Sequence, residues 1–142
     1  MPYETHWSDR GVHWRYYGDV RAAETRIADA EFYGDERSDR AIYQLIDLRE
    51  VTRLDFPPHD QQLTAAIDGA ASISTPAVRG AFIVPDGRFN EALAIYLELI
   101  NKTTWSARTF TNLEEALGWC ERHGEDPFTE RRRRLQGGAA GA

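Results

Sequence analysis

His59 stands between Pro58 and Asp60, four residues after Asp55, in the segment Asp55-Phe56-Pro57-Pro58-His59-Asp60. An imidazole oriented by a carboxylate is the usual proton shuttle near neutral pH, so His59 with Asp55 or Asp60 could serve as an acid–base group. No nucleophile accompanies it at a diagnostic spacing, and polarity at a helix start accounts for the same residues. His6, His13 and His123 are scattered and show no metal-ligand spacing, while Cys120 has no cysteine partner for a zinc site. His6 and His13 fall opposite Trp7 and Trp14 in a hairpin pattern, which predicts plain exposure. Cys120 shares a helical stripe with Leu113, Ala116 and Leu117, as a small core residue does. Nucleotide-binding glycine loops and the G-x-S-x-G elbow do not occur.

Those side chains need elements to place them. The strand pattern Ala41, Ile42, Tyr43, Leu45, Ile46 ends in Asp47 and crosses a short polar link. It then reaches the Asp55-Phe56-Pro57-Pro58 turn, where a helix opens at Pro58 with no N–H to lose. A strand feeding a helix this way ends at the carboxyl edge of a sheet, where open α/β folds place ligand sites. Leu63, Ala66, Ile67 and Ala70 are the expected buried side of that helix, which Ser74-Thr75-Pro76 ends. Upstream, Tyr3 to Tyr17 read as a hairpin with Tyr3, Thr5, Trp7 and Val12, Trp14, Tyr16 on matching faces. Gly18 is expected to break the second arm, and Asp19 to cap a helix with the stripe Val20, Ala23, Ile27 and Ala30.

Downstream, Arg79 to Val84 is an apolar run suited to a strand covered on both faces. Pro85-Asp86-Gly87 turns the chain into a helix from Phe89 to about Ile100. Ser106 to Phe110 is a short strand, and Asn112-x-x-Glu115 or Thr111-x-x-Glu114 can cap a last helix ending at Gly124. This order predicts an α/β fold: one mixed, mostly parallel five-stranded sheet with an N-terminal hairpin and four flanking helices. The helix after Phe89 is apolar over nearly half its circumference, and Ile95 widens it further. Its extra width is covered by the last helix or a loop, or else forms a self-association face at Ile95 and Leu99 or a wall of an apolar cavity.

Composition bounds the function. The chain has 142 residues, a net charge of −6 and one cysteine. Residues 1–124 read as one domain carrying −7, and residues 125–142 as a disordered tail of +1 containing Arg131 to Arg134. A negative body disfavours nucleic acid and anionic membrane surfaces. The lone cysteine removes any need for an oxidising compartment, and no apolar run reaches the ~18 residues of a membrane span. The expectation is a cytoplasmic protein without an integral membrane segment.

With these elements placed, the chain from Val12 to His123 resembles the SpoIIAA-like family, related to STAS domains and more loosely to the CRAL-TRIO fold. The carriers are Gly18-Asp19-Val20, Tyr43 to Arg49 with Val51, Gly80 to Val84, and Arg108 to Trp119. The resemblance implies a bacterial, non-enzymatic protein that acts either as a STAS-type regulatory partner or as a binder of a small apolar ligand. STAS antagonists carry a phosphorylatable serine after an aspartate at the second helix start. Here Asp55 is followed by Phe56 and Pro57, and no hydroxyl occurs from Asp55 through Gln62, so nothing is there to carry the phosphate. The reading favoured is a binding module for a small apolar, lipid-like ligand or a protein surface. Its site comprises Phe56, His59, Pro85, Phe89 and Trp105, with Asp55 and Arg88 as polar anchors. No cofactor or metal is expected, a homodimer through Ile95 and Leu99 is the oligomer suggested, and a His59-dependent enzyme is the remaining alternative.

Overall fold

Ser8 closes a tight turn by hydrogen bonds to Gly11, and the two arms it joins are Tyr3–Trp7 (β1) and Gly11–Arg21 (β2). A computed structural model describes residues 2–75 and 77–122; the expectations for Pro76, His123, Gly124 and the Arg131–Arg134 tail lie outside the described residues. As the alternation requires, Val12, Trp14 and Tyr16 are buried on one face. Gly11 is obligatory, because a Cβ there would meet the Tyr43 ring and carbonyl at 2.6 Å.

The second arm does not stop at Gly18. That glycine adopts φ +71° inside the strand, next to a register shift, and the strand continues through Arg21. Asp19 is therefore a strand residue, not a cap. The helix Ala22–Tyr33 (α1) begins at Ala22, and the Arg21 N–H donates to the Glu24 carboxylate at 3.3 Å. The later start rotates the buried face onto Ala22, Ala28 and Phe32, leaving Ile27 43% exposed. Phe32 stacks flat on Trp7 at 5.6 Å and meets Trp14 edge-on.

The expected polar link after Asp47 is also strand. Tyr43–Asp55 (β3) runs thirteen residues against the eleven of β2. Two extra β3 residues are absorbed at the register shifts, bulges that bend and twist the ribbon. Only Tyr43 to Asp47 pair with Arg79–Ile83 (β4), which in turn pairs with Ser106–Phe110 (β5). The sheet order is β1-β2-β3-β4-β5, antiparallel at β1–β2 and parallel elsewhere.

Three helices, α1, Pro58–Ser74 (α2) and Asn90–Ile100 (α3), cover one face; Leu113–Glu121 (α4) covers the other. Asn112 caps α4 by accepting from the Glu115 N–H at 2.9 Å, as the spacing predicts. On α4, Ala116 and Cys120 are buried, while Leu113 and Leu117 pack at the margin against Leu45, Ala81 and Ile83.

Helix α2 is turned about its axis from the expectation. Gln61, Thr64, Ala65, Asp68 and Ser72 face inward. Leu63 and Ile67 are 39% and 41% exposed and Ile73 is 87% exposed. The physical reason lies in the partners. Asp68 accepts hydrogen bonds from Tyr33 of α1 and Tyr96 of α3, and Gln61 is clamped to α3, so the polar stripe has specific donors and acceptors waiting inside.

Candidate functional site

The ends of β3 and β4 reach the same rim of the sheet, because parallel strands share a direction. The diproline corner and the Pro85–Gly87 turn are joined there by Gln61, which is only 1% exposed. Its amide nitrogen donates to the carbonyls of Phe56 (3.1 Å) and Glu91 (3.3 Å). Its oxygen accepts from the N–H groups of Ile95 (3.0 Å) and Tyr96 (3.2 Å). One buried side chain thus fixes α2 against the start of α3.

A groove opens at this rim between Asp55, Phe56, Pro57 and Pro58 on one side and Gly87, Phe89 and Asn90 on the other. Phe89 holds φ +70° and Asp86 φ +49°, left-handed values that non-glycine residues seldom adopt. Of the residues singled out by sequence, Asp55, Phe56 and Phe89 meet in the groove. Arg88 is exposed with its guanidinium 5.9 Å from the Phe89 ring, and Pro85 is half-buried at the base of the turn. His59 is exposed and does not line the groove; its neighbour Asp60 accepts a hydrogen bond from Arg26.

Trp105 is elsewhere. It is 4% exposed and immediately precedes Ser106, which pairs with Arg79 at the first position of β4. That is the amino rim, at the far end of the strands. Grouping Trp105 with the carboxyl-rim residues is therefore corrected by strand direction: the residue before a parallel strand and the residue after one lie at opposite edges. Ile95 and Leu99 are half-buried, with Leu99 packed on the main core and the Ile95 backbone tied to Gln61. The apolar width of α3 is met by α2 as well as by the sheet.

Behind the groove lies a cavity of about 60 Å³ between the sheet and the three-helix layer. Leu54 and Phe56 line both spaces and form the wall between them. Trp14, Tyr16, Phe82 and Leu93 supply apolar walls, yet Asp29, Gln44, Thr64 and Asp68 also line it. Gln44 and Thr64 are buried, at 4% and 8% exposure, and the Gln44 Nε2 and Thr64 Oγ1 atoms have no hydrogen-bond partner among the described residues.

Both carboxyls of the cavity are shifted upward. Burial pushes the Asp29 carboxyl well above its ordinary value, and the charge of Asp68 adds to the shift. Burial likewise raises Asp68, partly offset by hydrogen bonds from the Tyr33 and Tyr96 hydroxyls, the latter at 2.7 Å. Burial raises the Tyr33 and Tyr96 phenols too, so both remain donors. On the opposite face, Asp47 accepts from the Arg49 backbone at 3.1 Å and from its guanidinium at 3.0 and 2.7 Å. His13 stands 3.7 Å away and is half-buried by this carboxylate, not simply exposed as its hairpin face suggests. In α4, burial pushes the Cys120 thiol up to about 12, which keeps it an unreactive core group.

Sequence reasoning did not single out Asp29, Gln44, Gln61, Thr64 or Asp68. One signal was present: Gln44 interrupts an otherwise apolar strand run, and a polar residue at a buried position is the informative kind. Gln61, Thr64, Asp68 and Ser72 also share a helical spacing, as regular as the apolar stripe beside it. Among the described residues, no three His, Cys, Asp or Glu side chains converge in a way that could hold a metal ion, and no helix is long and apolar enough to cross a membrane.

No protein-family model and no curated protein matches the sequence. A solved structure does: an uncharacterized protein of the DUF3478 family from Shewanella loihica PV-4, described as having a SpoIIAA-like fold. The superposition covers 83% of this chain and 91% of that one, with a TM-score of 0.51 and 17% sequence identity. At that identity the likeness is one of architecture, and what it establishes is that this chain has a SpoIIAA-like α/β fold.

Proposed function

We propose that this protein is a non-enzymatic binding module that takes a small, largely apolar molecule into the cavity beneath α1, α2 and α3. The rim groove at Asp55, Phe56 and Phe89 is its mouth, and Leu54 and Phe56 are the door. The observation that carries this reading is the pair of unpartnered atoms, Gln44 Nε2 and Thr64 Oγ1, in an aromatic and aliphatic enclosure. A buried polar group without a partner costs about 1–3 kcal/mol, and a ligand's polar atom would supply the missing bond. The cavity is well under the roughly 150 Å³ of an apolar cavity that admits benzene. It therefore receives only the head of a ligand, whose chain passes the door into the groove. Two features count against acid–base catalysis at His59: its exposure, and the pairing of Asp60 with Arg26.

Saturation-transfer NMR with 1-hexanol tests the reading. Saturable binding is expected, lost in Thr64→Leu, which fills the cavity. Ordered water alone would also fit a space of this size, and then no hexyl compound, whether alcohol, amine or carboxylate, would give a saturable signal. That outcome would overturn the proposal.

A further inference from the structure

We propose that the polar end of this cavity is an ammonium site: a primary alkylamine sets its cation against Asp29, with Thr64 and Gln44 completing the shell. The inference rests on the binding reading above and names the chemistry of the ligand's head.

Charge decides the class first. Asp29 and Asp68 line the cavity, and no arginine, lysine or histidine does. Arg26, the basic residue of α1 nearest Asp29 in sequence, is engaged with Asp60 and 41% exposed. A carboxylate or phosphate head would find no cation in the cavity wall to neutralise it. A cation would instead find two carboxyls with no cationic partner in the cavity wall, Asp29 half-buried and Asp68 buried, and would stabilise the ionised form of either.

Hydrogen bonding then selects the anchor. Both oxygens of Asp68 are already occupied, one by Tyr33 and one by Tyr96. Among the described residues nothing donates to Asp29, so its carboxyl, once ionised, is the acceptor left over. An ammonium brings three donors. Asp29 takes one and the Thr64 hydroxyl oxygen a second. Gln44 takes the third after a half-turn of its side-chain amide, which exchanges nitrogen for oxygen at the same place. The Trp14, Tyr16 and Phe82 rings line the same space, and an aromatic face presented to the cation would attract it further.

Binding is coupled to a proton. The groups facing Asp29 are Asp68 of α2, Tyr33 of α1, Tyr96 of α3 and Tyr16 of β2, and the three phenols stay neutral because burial raises them. When an alkylammonium enters, the Asp29 acid gives its proton to solvent and the carboxylate pairs with the cation. Affinity therefore rises with pH through the raised titration of Asp29, until the amine itself deprotonates near ~10.4.

The test compares 1-hexylamine, 1-hexanol and hexanoate on the full chain in ~0.15 M salt, which screens non-specific attraction to a chain of net charge −6. The amine should bind at least tenfold more tightly than the alcohol, and hexanoate at least tenfold more weakly. Asp29→Asn should bring amine and alcohol within threefold of each other, with circular dichroism confirming its fold. Should that variant fail to fold, the wild-type amine-to-alcohol ratio still must climb as pH rises from the ordinary carboxylate value, about 4, through the raised titration of Asp29. Equal affinity for amine and alcohol, or a flat ratio, would overturn the ammonium site while leaving the binding module standing. Absence of binding by all three would overturn both.

Discussion

Tyr96 of α3 donates its hydroxyl to Asp68 of α2 at 2.7 Å, while Tyr33 of α1 takes the other carboxylate oxygen. One side chain therefore ties together three helices that are distant in sequence. Tyr96→Phe should cost about 1–3 kcal/mol in urea unfolding, because a buried carboxyl loses a donor that water cannot replace. It should also raise the Asp68 titration further, since that hydrogen bond now holds it down.

Asp29 should make the protein less stable as pH rises. Its folded titration lies above the unfolded value, so the native state binds the proton more tightly. Its contribution is fully present below the ordinary carboxylate pKa and is lost as pH climbs through the raised one. Asp29→Asn should thus gain urea midpoint over wild type at pH 8, and the gain should shrink at pH 4. An equal difference at both pH values would rule this out.

Asp47 should act in the opposite sense. Burial pushes its carboxyl up, but the facing His13 ring and the Arg49 guanidinium and backbone more than offset this and hold it below the usual carboxylate range. Its stabilisation is present above the unfolded pKa and disappears as acid protonates the folded group. Asp47→Asn should flatten the acid limb of a stability–pH curve, measured between pH 5 and 2.

Two glycines should fail for different reasons. Gly11→Ala places a methyl against the Tyr43 ring and carbonyl, where strand pairing leaves no room to retreat, and should cost about 1–3 kcal/mol. Gly18→Ala meets nothing within 4 Å but must keep φ +71°, a backbone cost of about 1–2 kcal/mol. Thermal melts of both single variants check the pair.

The rotation of α2 is open to a direct comparison. Leu93 of α3 is 2% exposed, so Leu93→Ala should lose about 2–5 kcal/mol. Ile67 of α2 is 41% exposed, so Ile67→Gln should change stability by no more than about 0.5 kcal/mol. A large loss from Ile67→Gln would mean that the apolar stripe faces inward after all.

Local patterns carried much of the architecture. The alternation of Val12, Trp14 and Tyr16, the apolar run of β4, and Asn112 with Glu115 at the α4 start each act within a few residues, so sequence alone predicts those elements. The same locality misled at Gly18, where a glycine that usually ends a strand instead accommodates a bulge whose partner, Val51 of β3, lies far along the chain. It misled again at the link after Asp47, because β2 supplies the pairing that keeps those polar residues extended.

The candidate site divides along the same line. Asp55, Phe56 and Phe89 were legible because crossovers of parallel strands must turn at one rim. Trp105 lies at the other rim because it precedes its strand, whereas Phe56 and Phe89 follow theirs. In α2 the sequence offers two stripes of equal regularity, Leu63 with Ile67 and Gln61 with Thr64 and Asp68, and intrinsic preference favours burying the apolar one. Tyr33, Tyr96 and the α3 backbone reverse that preference by bringing hydrogen bonds from 28 to 35 residues away. Periodicity determines that a helix has two faces; only the neighbours it packs against decide which face is inside, and with it which polar side chains line the cavity.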